Sequence, residues 1–162
     1  MYTMDNQLKV GWHAERAVGI WLQTGLGYNV QDVRKIKVYR DEDVDFIANH
    51  LKIEVKGDRY PEKNICFETT SNVEKNTEGC FLKTKCDFLM YYYFQTGNIY
   101  VLPMPQTRNW FCIQELSEFK IIQPTNQDPD TGQIWHSECY LVPLDKLMFC
   151  QKTKIGVPCE IK

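Results

Sequence analysis

Asp45, Glu54 and Lys56 are the residues whose types and spacing could do chemistry. Val44, Phe46 and Ala48 alternate with Asp45 and Ile47. Leu51, Ile53 and Val55 then alternate with Lys52, Glu54 and Lys56, which is the period of two half-buried strands. With Asn49-His50 as a two-residue turn, Ala48 pairs with Leu51, Phe46 with Ile53, Asp45 with Glu54 and Val44 with Val55. Asp45 and Glu54 then face each other with Cβ atoms about 4.5 to 5.5 Å apart, and Lys56 points to the same side. Two carboxylates at about 5 Å repel by roughly 3 kcal/mol at an effective dielectric of about 20, and a divalent cation reverses that sign. Mg²⁺ takes oxygen ligands, held by one or two carboxylates plus substrate phosphates, so the constellation suits phosphodiester chemistry. The competing reading is a solvated charged face on a hairpin.

Several elements must position these residues. Met1 to Lys9 reads as a polar lead-in. From Gly11 to Thr24, Ala14, Ala17, Val18, Trp21 and Leu22 recur at helical spacing, ending near Gly25-Leu26-Gly27. Glu15 sits at the edge of that apolar stripe, where periodicity alone makes it a surface glutamate. Tyr28 to Val38 reads as a bulged or broken strand. Asp43 would share the face of Asp45 and replaces it if the register slips. After a Gly- and Pro-bearing loop over 57–63, Asn64 to Thr70 alternates again. Glu68 is an outer-ligand candidate if that strand neighbours the Glu54 strand. Ser71 to Thr84 reads as a loop over the active face, with Lys75, Lys83 and the following Lys85 as candidate phosphate contacts. Phe88 to Phe94 and Ile99 to Met104 flank Gln95-Thr96-Gly97-Asn98 as a hairpin. Pro105 to Gln123 reads as a helix, Pro124 to Gly132 as a loop, Ile134 to Val142 as a strand and Pro143 to Leu147 as the start of a short helix. The remainder reads as a tail.

Asp45 followed by Glu54-Val55-Lys56 resembles the motif of the PD-(D/E)xK nuclease superfamily, with Val44 where the pattern has proline. The resemblance covers Gly11 to about Pro103. It extends to Gly57-Asp58, Asn64-Ile65-Cys66-Phe67-Glu68 and Lys85-Cys86-Asp87-Phe88-Leu89, a run similar to that of small phage and bacterial members. It implies an α/β, restriction-endonuclease-like fold, a mixed central sheet flanked by helices. The Gly11 to Thr24 helix would lie on one side and the Pro105 to Gln123 helix on the other. It also implies a metal-dependent deoxyribonuclease, endonuclease ahead of exonuclease, with DNA ahead of RNA as substrate. Asp45 and Glu54 would hold Mg²⁺ or Mn²⁺, with the Val55 carbonyl as a further ligand and Lys56 as the catalytic lysine. Glu15 resembles the helical glutamate of the Holliday-junction-resolvase and exonuclease branches. A binding or inhibitory protein without chemistry, or an RNA-processing nuclease, remains open on the same fold.

The 162 residues suffice for one domain with a real core. A net charge of -2 argues against a broad nucleic-acid-coating surface. Local phosphate contact through Arg34, Lys35, Lys37 and Arg40 fits that charge. Seven cysteines form no CxxC pair, and neither an apolar leader nor a run of membrane-spanning length is present, which predicts free thiols in a reducing cytoplasm and no membrane partner. The histidines, His13, His50 and His136, have no ligand spacing. No decisive signal for a homodimer interface is present, though branched DNA would call for one.

Overall fold

The computed structural model describes residues 4–128 and 131–156. In chain order the elements are α1 (Met4–Ile20), β1 (Val30–Asp32), α2 (Lys37–Asp41), β2 (Phe46–Ala48), β3 (Leu51–Asp58), β4 (Asn64–Asn72), β5 (Thr77–Glu78), α3 (Cys80–Lys83), β6 (Phe88–Tyr93), β7 (Asn98–Pro103), α4 (Met104–Cys112), β8 (Lys120–Ile122), β9 (Thr125–Gln127), β10 (Ile134–His136), β11 (Glu138–Pro143) and β12 (Gln151–Lys154). The architecture is mixed α/β. A six-stranded sheet runs in the order β1-β2-β3-β6-β7-β12, and a second, four-stranded sheet in the order β5-β4-β11-β8. The first sheet is mixed because β3 and β6 are parallel while its other pairs are antiparallel.

Two apolar layers sandwich that sheet. On one face, Ala14, Val18 and Leu22, four residues apart along one side of the helix, are fully buried against Phe46, Ile53 and Val55. The helix starts at Met4 rather than Gly11, so the expected lead-in is largely helical, and a wider π-type turn at Trp21–Gly25 continues it. On the other face, Leu89, Tyr91, Tyr93 and Leu102 meet Ile65, Phe67 and Val142 of the second sheet. Phe81 and Phe111 stack into this layer around Phe67, with ring centroids 4.0 and 5.4 Å away.

The C-terminal half departs from the expected pattern. The helix from Pro105 ends at Cys112, and a 3₁₀ turn at Leu116–Glu118 leads into β8. Ile113 is 81 % exposed, so the apolar spacing that suggested a longer helix does not mark one buried face. The second sheet therefore covers most of the face assigned to that helix, with α4 contributing Met104 and Phe111 to the same layer. The expected strand over 134–142 is divided at buried Ser137, whose N–H donates to the Pro124 carbonyl. Its first part forms a separate hairpin with β9, where a loop was expected, and its second joins β4. Part of the expected tail is β12, which pairs with β7 at the edge of the first sheet. Pro143-Leu144 does open a 3₁₀ turn, Leu144–Lys146. The expected strand over 28–38 is three residues long, followed by buried Val33 and by α2, with Ile36 and Val38 exposed.

Candidate active site

The β2–β3 hairpin has the register read from the sequence, Phe46 opposite Ile53, Ile47 opposite Lys52 and Ala48 opposite Leu51. Asn49 adopts φ 55° in the turn, a conformation asparagine tolerates better than most residues. One residue before Phe46 the regular ladder breaks. The Asp45 N–H donates to the Ile53 carbonyl at 2.8 Å, and the Val55 N–H is taken by Asp45 Oδ2 at 2.8 Å. This irregularity re-aims the strand, as bulges do. Val44, expected beside Phe46 and Val55, instead joins the layer against the second sheet.

Asp45, Glu54, Val55 and Lys56 line a cleft of about 590 Å³ together with Trp12, Glu15, Arg34, Lys35 and Arg40. Glu54 is buried, and its Oε1 accepts from Lys56 Nζ at 2.6 Å. Burial, then the Glu54 charge, push the Asp45 carboxyl up to about 8, against the pull of the Val55 N–H. Burial likewise raises Glu54, opposed by Lys56. Burial opposes the charge of Lys56, yet Cys80, Glu54 and Asp45 together hold the ammonium well above its ordinary value. Burial and, for Asp45, the charge of Glu54 thus oppose ionising both carboxyls together, a cost that a divalent ion bound between them would relieve.

The donor set fits such an ion. Two carboxylates, one just before β2 that holds the β3 backbone and one on β3 itself, are the ligand type Mg²⁺ and Mn²⁺ accept. Among the described residues, no group of three or more His, Cys, Asp and Glu side chains is arranged around one metal position. Glu15 lines the cleft but is ion-paired to Arg34, whose guanidinium also grips Asp32 through Nε at 2.9 Å and Nη2 at 2.5 Å. Glu68 is placed elsewhere. The neighbours of β3 are β2 and β6, so the condition for Glu68 as an outer ligand fails. It lies on β4 in the second sheet and accepts from the Cys80 N–H at 3.4 Å.

Asp43, with φ 51°, lines the same cleft and faces Lys83 at 3.4 Å. Of the basic residues nominated for phosphate contact, Arg34, Lys35 and Arg40 line the cleft, whereas Lys37 bonds Asp41 at 2.5 Å. The expected loop over 71–84 is largely ordered into β4, β5 and α3. It brings Cys80 beside Lys56, and Lys75 and Lys85 do not line the cleft. Gly79 lets the start of α3 lie against β4, since a Cβ there would stand 2.3 Å from the Glu68 carbonyl oxygen.

The sequence reading did not foresee the Arg34 clamp or Trp12 at the rim. An Asp-x-Arg signal existed at 32–34, but only the tertiary fold brings it to Glu15. His50 lies exposed in the turn and His136 bonds Glu74 at 2.6 Å, as surface histidines do. Six cysteines are free thiols, and Cys159 lies outside the described residues. No helix among the described residues is long and apolar enough to cross a membrane. No family model, curated protein or solved structure matches this chain.

Proposed function

We propose that this protein is a metal-dependent nuclease that hydrolyses phosphodiester bonds in DNA, built on a restriction-endonuclease-like variant of the mixed sheet. The observation that carries the reading is the pair of buried Glu54 and half-buried Asp45, with Lys56 at 2.6 Å from Glu54, in a cleft also lined by Arg34, Lys35 and Arg40. Hydrophobic folding alone gains nothing from two carboxyls and an ammonium placed in this way.

Asp45 and Glu54 would hold one or two Mg²⁺ or Mn²⁺ ions, with the Val55 carbonyl as a further ligand. A bound ion lowers the pKa of water and neutralises charge on the phosphate. Lys56 orients the attacking water and donates to the oxygen on which charge develops. Arg34, held from two sides, presents its guanidinium to a flanking phosphate, with Lys35 and Arg40 beside it. The water releases one proton to solvent and its oxygen bonds to phosphorus as the bond to the leaving sugar oxygen breaks, and that oxygen takes up a proton from solvent.

The test is cleavage of labelled single-stranded, duplex and four-way-junction DNA, and of matched RNA, in Mg²⁺, Mn²⁺ or EDTA, with wild type and Lys56→Ala. Products that need metal and vanish in the variant are expected. A folded protein that cuts nothing, or a Lys56→Ala variant that cuts at the wild-type rate, overturns the assignment and leaves a binding protein on this fold.

A further inference from the structure

A second cleft, of about 600 Å³, is lined by Gly57 and Asp58, the residues that follow Lys56 of the first cleft along β3. Along β3 the side chains of Glu54, Lys56 and Asp58 point to one side. The first two line the acidic cleft and the third lines its neighbour. The same helix borders both, Trp12 at the first and Val10 at the second. It can lie that close because Gly57 has no side chain: a Cβ there would stand 2.7 Å from Ala14 Cβ and 3.0 Å from the Val10 carbonyl.

The chemistry of the second cleft differs from that of the first. Its walls are apolar, from Ile122 and Leu141 of the second sheet and from Pro61 and Pro124, and it carries no acidic pair. Tyr60 lines it with its residue 55 % exposed, on a turn fixed by the Tyr60 N–H donating to Asp58 Oδ1 at 2.7 Å. Asp58 is committed on its other oxygen, which accepts from Tyr91 Oη at 2.7 Å. Asn64 and Lys63 add a polar edge and a positive charge. An aromatic ring, apolar walls and a polar edge suit a nucleobase, which stacks on its face and hydrogen-bonds at its rim.

We propose that this cleft holds an unpaired base of the strand whose phosphodiester lies in the acidic cleft, so the substrate is single-stranded at that position. The proposal rests on the nuclease reading for the place of the phosphate. A base within a duplex is stacked on both faces and paired at its edge, so it presents neither to Tyr60 nor to Asn64. Lys63 then serves the phosphate on the far side of that base.

The experiment measures affinity by fluorescence anisotropy in Ca²⁺, with a labelled single-stranded DNA, the same strand in a blunt duplex, and a series carrying one abasic site at each position. Wild type, Tyr60→Phe and Tyr60→Ala are compared, with circular dichroism to confirm that each is folded. The single strand should bind about tenfold tighter than the duplex, and Tyr60→Ala should lose that advantage while Tyr60→Phe keeps it. One abasic position should weaken wild type equally and add nothing in Tyr60→Ala. Wild-type single-strand affinity in Tyr60→Ala, or no sensitive abasic position, overturns the proposal. Cleavage is scored separately. Base-dependent binding without cleavage removes the nuclease reading and keeps the cleft, while cleavage without Tyr60 dependence does the reverse.

Discussion

Lys56 Nζ stands 2.6 Å from Glu54 Oε1, and the Glu54 side chain is only 6 % exposed. The lysine is therefore structural as well as chemical. Removing it leaves a buried carboxyl that must take a proton or remain unpaired. Lys56→Ala should lose stability by about 2 to 3 kcal/mol in urea unfolding with EDTA present. Glu54→Gln combined with Lys56→Met should lose less than Lys56→Ala alone, because no charge is stranded. An additive result would show that the two groups do not depend on each other.

The raised Asp45 carboxyl makes metal binding visible without any substrate. Mg²⁺ or Mn²⁺ should raise the melting temperature of wild type, since an ion that binds only the folded state stabilises it by mass action. Asp45→Asn keeps the shape and removes the charge, so in EDTA it should melt no lower than wild type, and the metal-dependent rise should disappear. Differential scanning fluorimetry across a metal titration reads both effects.

Arg34 is held by Asp32 and Glu15 at once, and these contacts keep its guanidinium strongly protonated. Glu15 thus acts on the cleft through Arg34, as a positioning residue. Arg34→Ala should raise KM about tenfold, flatten the salt dependence by about one phosphate contact and change kcat little. Glu15→Gln should shift KM in the same direction by less. A fall in kcat comparable to that of Asp45→Asn would instead make Glu15 a metal ligand.

Glu62 is the acid-sensitive anchor of the fold. Against burial, which works the other way, hydrogen bonds from Lys152, Thr96, Tyr100 and Asn98 hold its carboxyl down to about 2. A depressed carboxyl stabilises the protein above its unfolded value near 4.5, and that contribution disappears as pH falls toward 2. Urea midpoints should therefore drop between pH 5 and pH 2 more steeply in wild type than in Glu62→Gln. The contribution is on the order of 2 kcal/mol. Lys152→Met should reproduce part of the effect, since Lys152 ties β12 to the turn that carries Tyr60.

What could be read in the sequence was local. Alternation around Asn49-His50 fixed the register of β2 and β3, and Gly97, at φ 68°, marked the turn between β6 and β7. Both depend on residues within a few positions of each other. The second sheet pairs Asn64 to Thr70 with Glu138 to Pro143, and no periodicity within either segment names its partner. The same limit hid β12. At the site, Asp45, Glu54 and Lys56 were legible as types on strands and do converge. The break in the ladder at Asp45, which sends Val44 to the opposite layer, depends on a side chain replacing a backbone acceptor, and alternation carries no trace of that. Glu68 misled because its strand alternates well but belongs to the other sheet.

The route of the chain between β3 and β6 has a consequence for how the protein matures. The hairpin bearing Asp45 and Glu54 closes over two residues and can form early. The cover over Glu54 and Lys56 includes α3, which lies against β4, and β4 is itself held by β11, whose residues pair with partners 68 to 79 positions earlier in the chain. Such long-range pairing is slow. Before β11 docks, Asp45 and Glu54 are therefore expected to be better solvated and their carboxyls easier to ionise than in the finished fold. Completion of the pocket thus depends on a strand far along the chain from the hairpin that carries its residues.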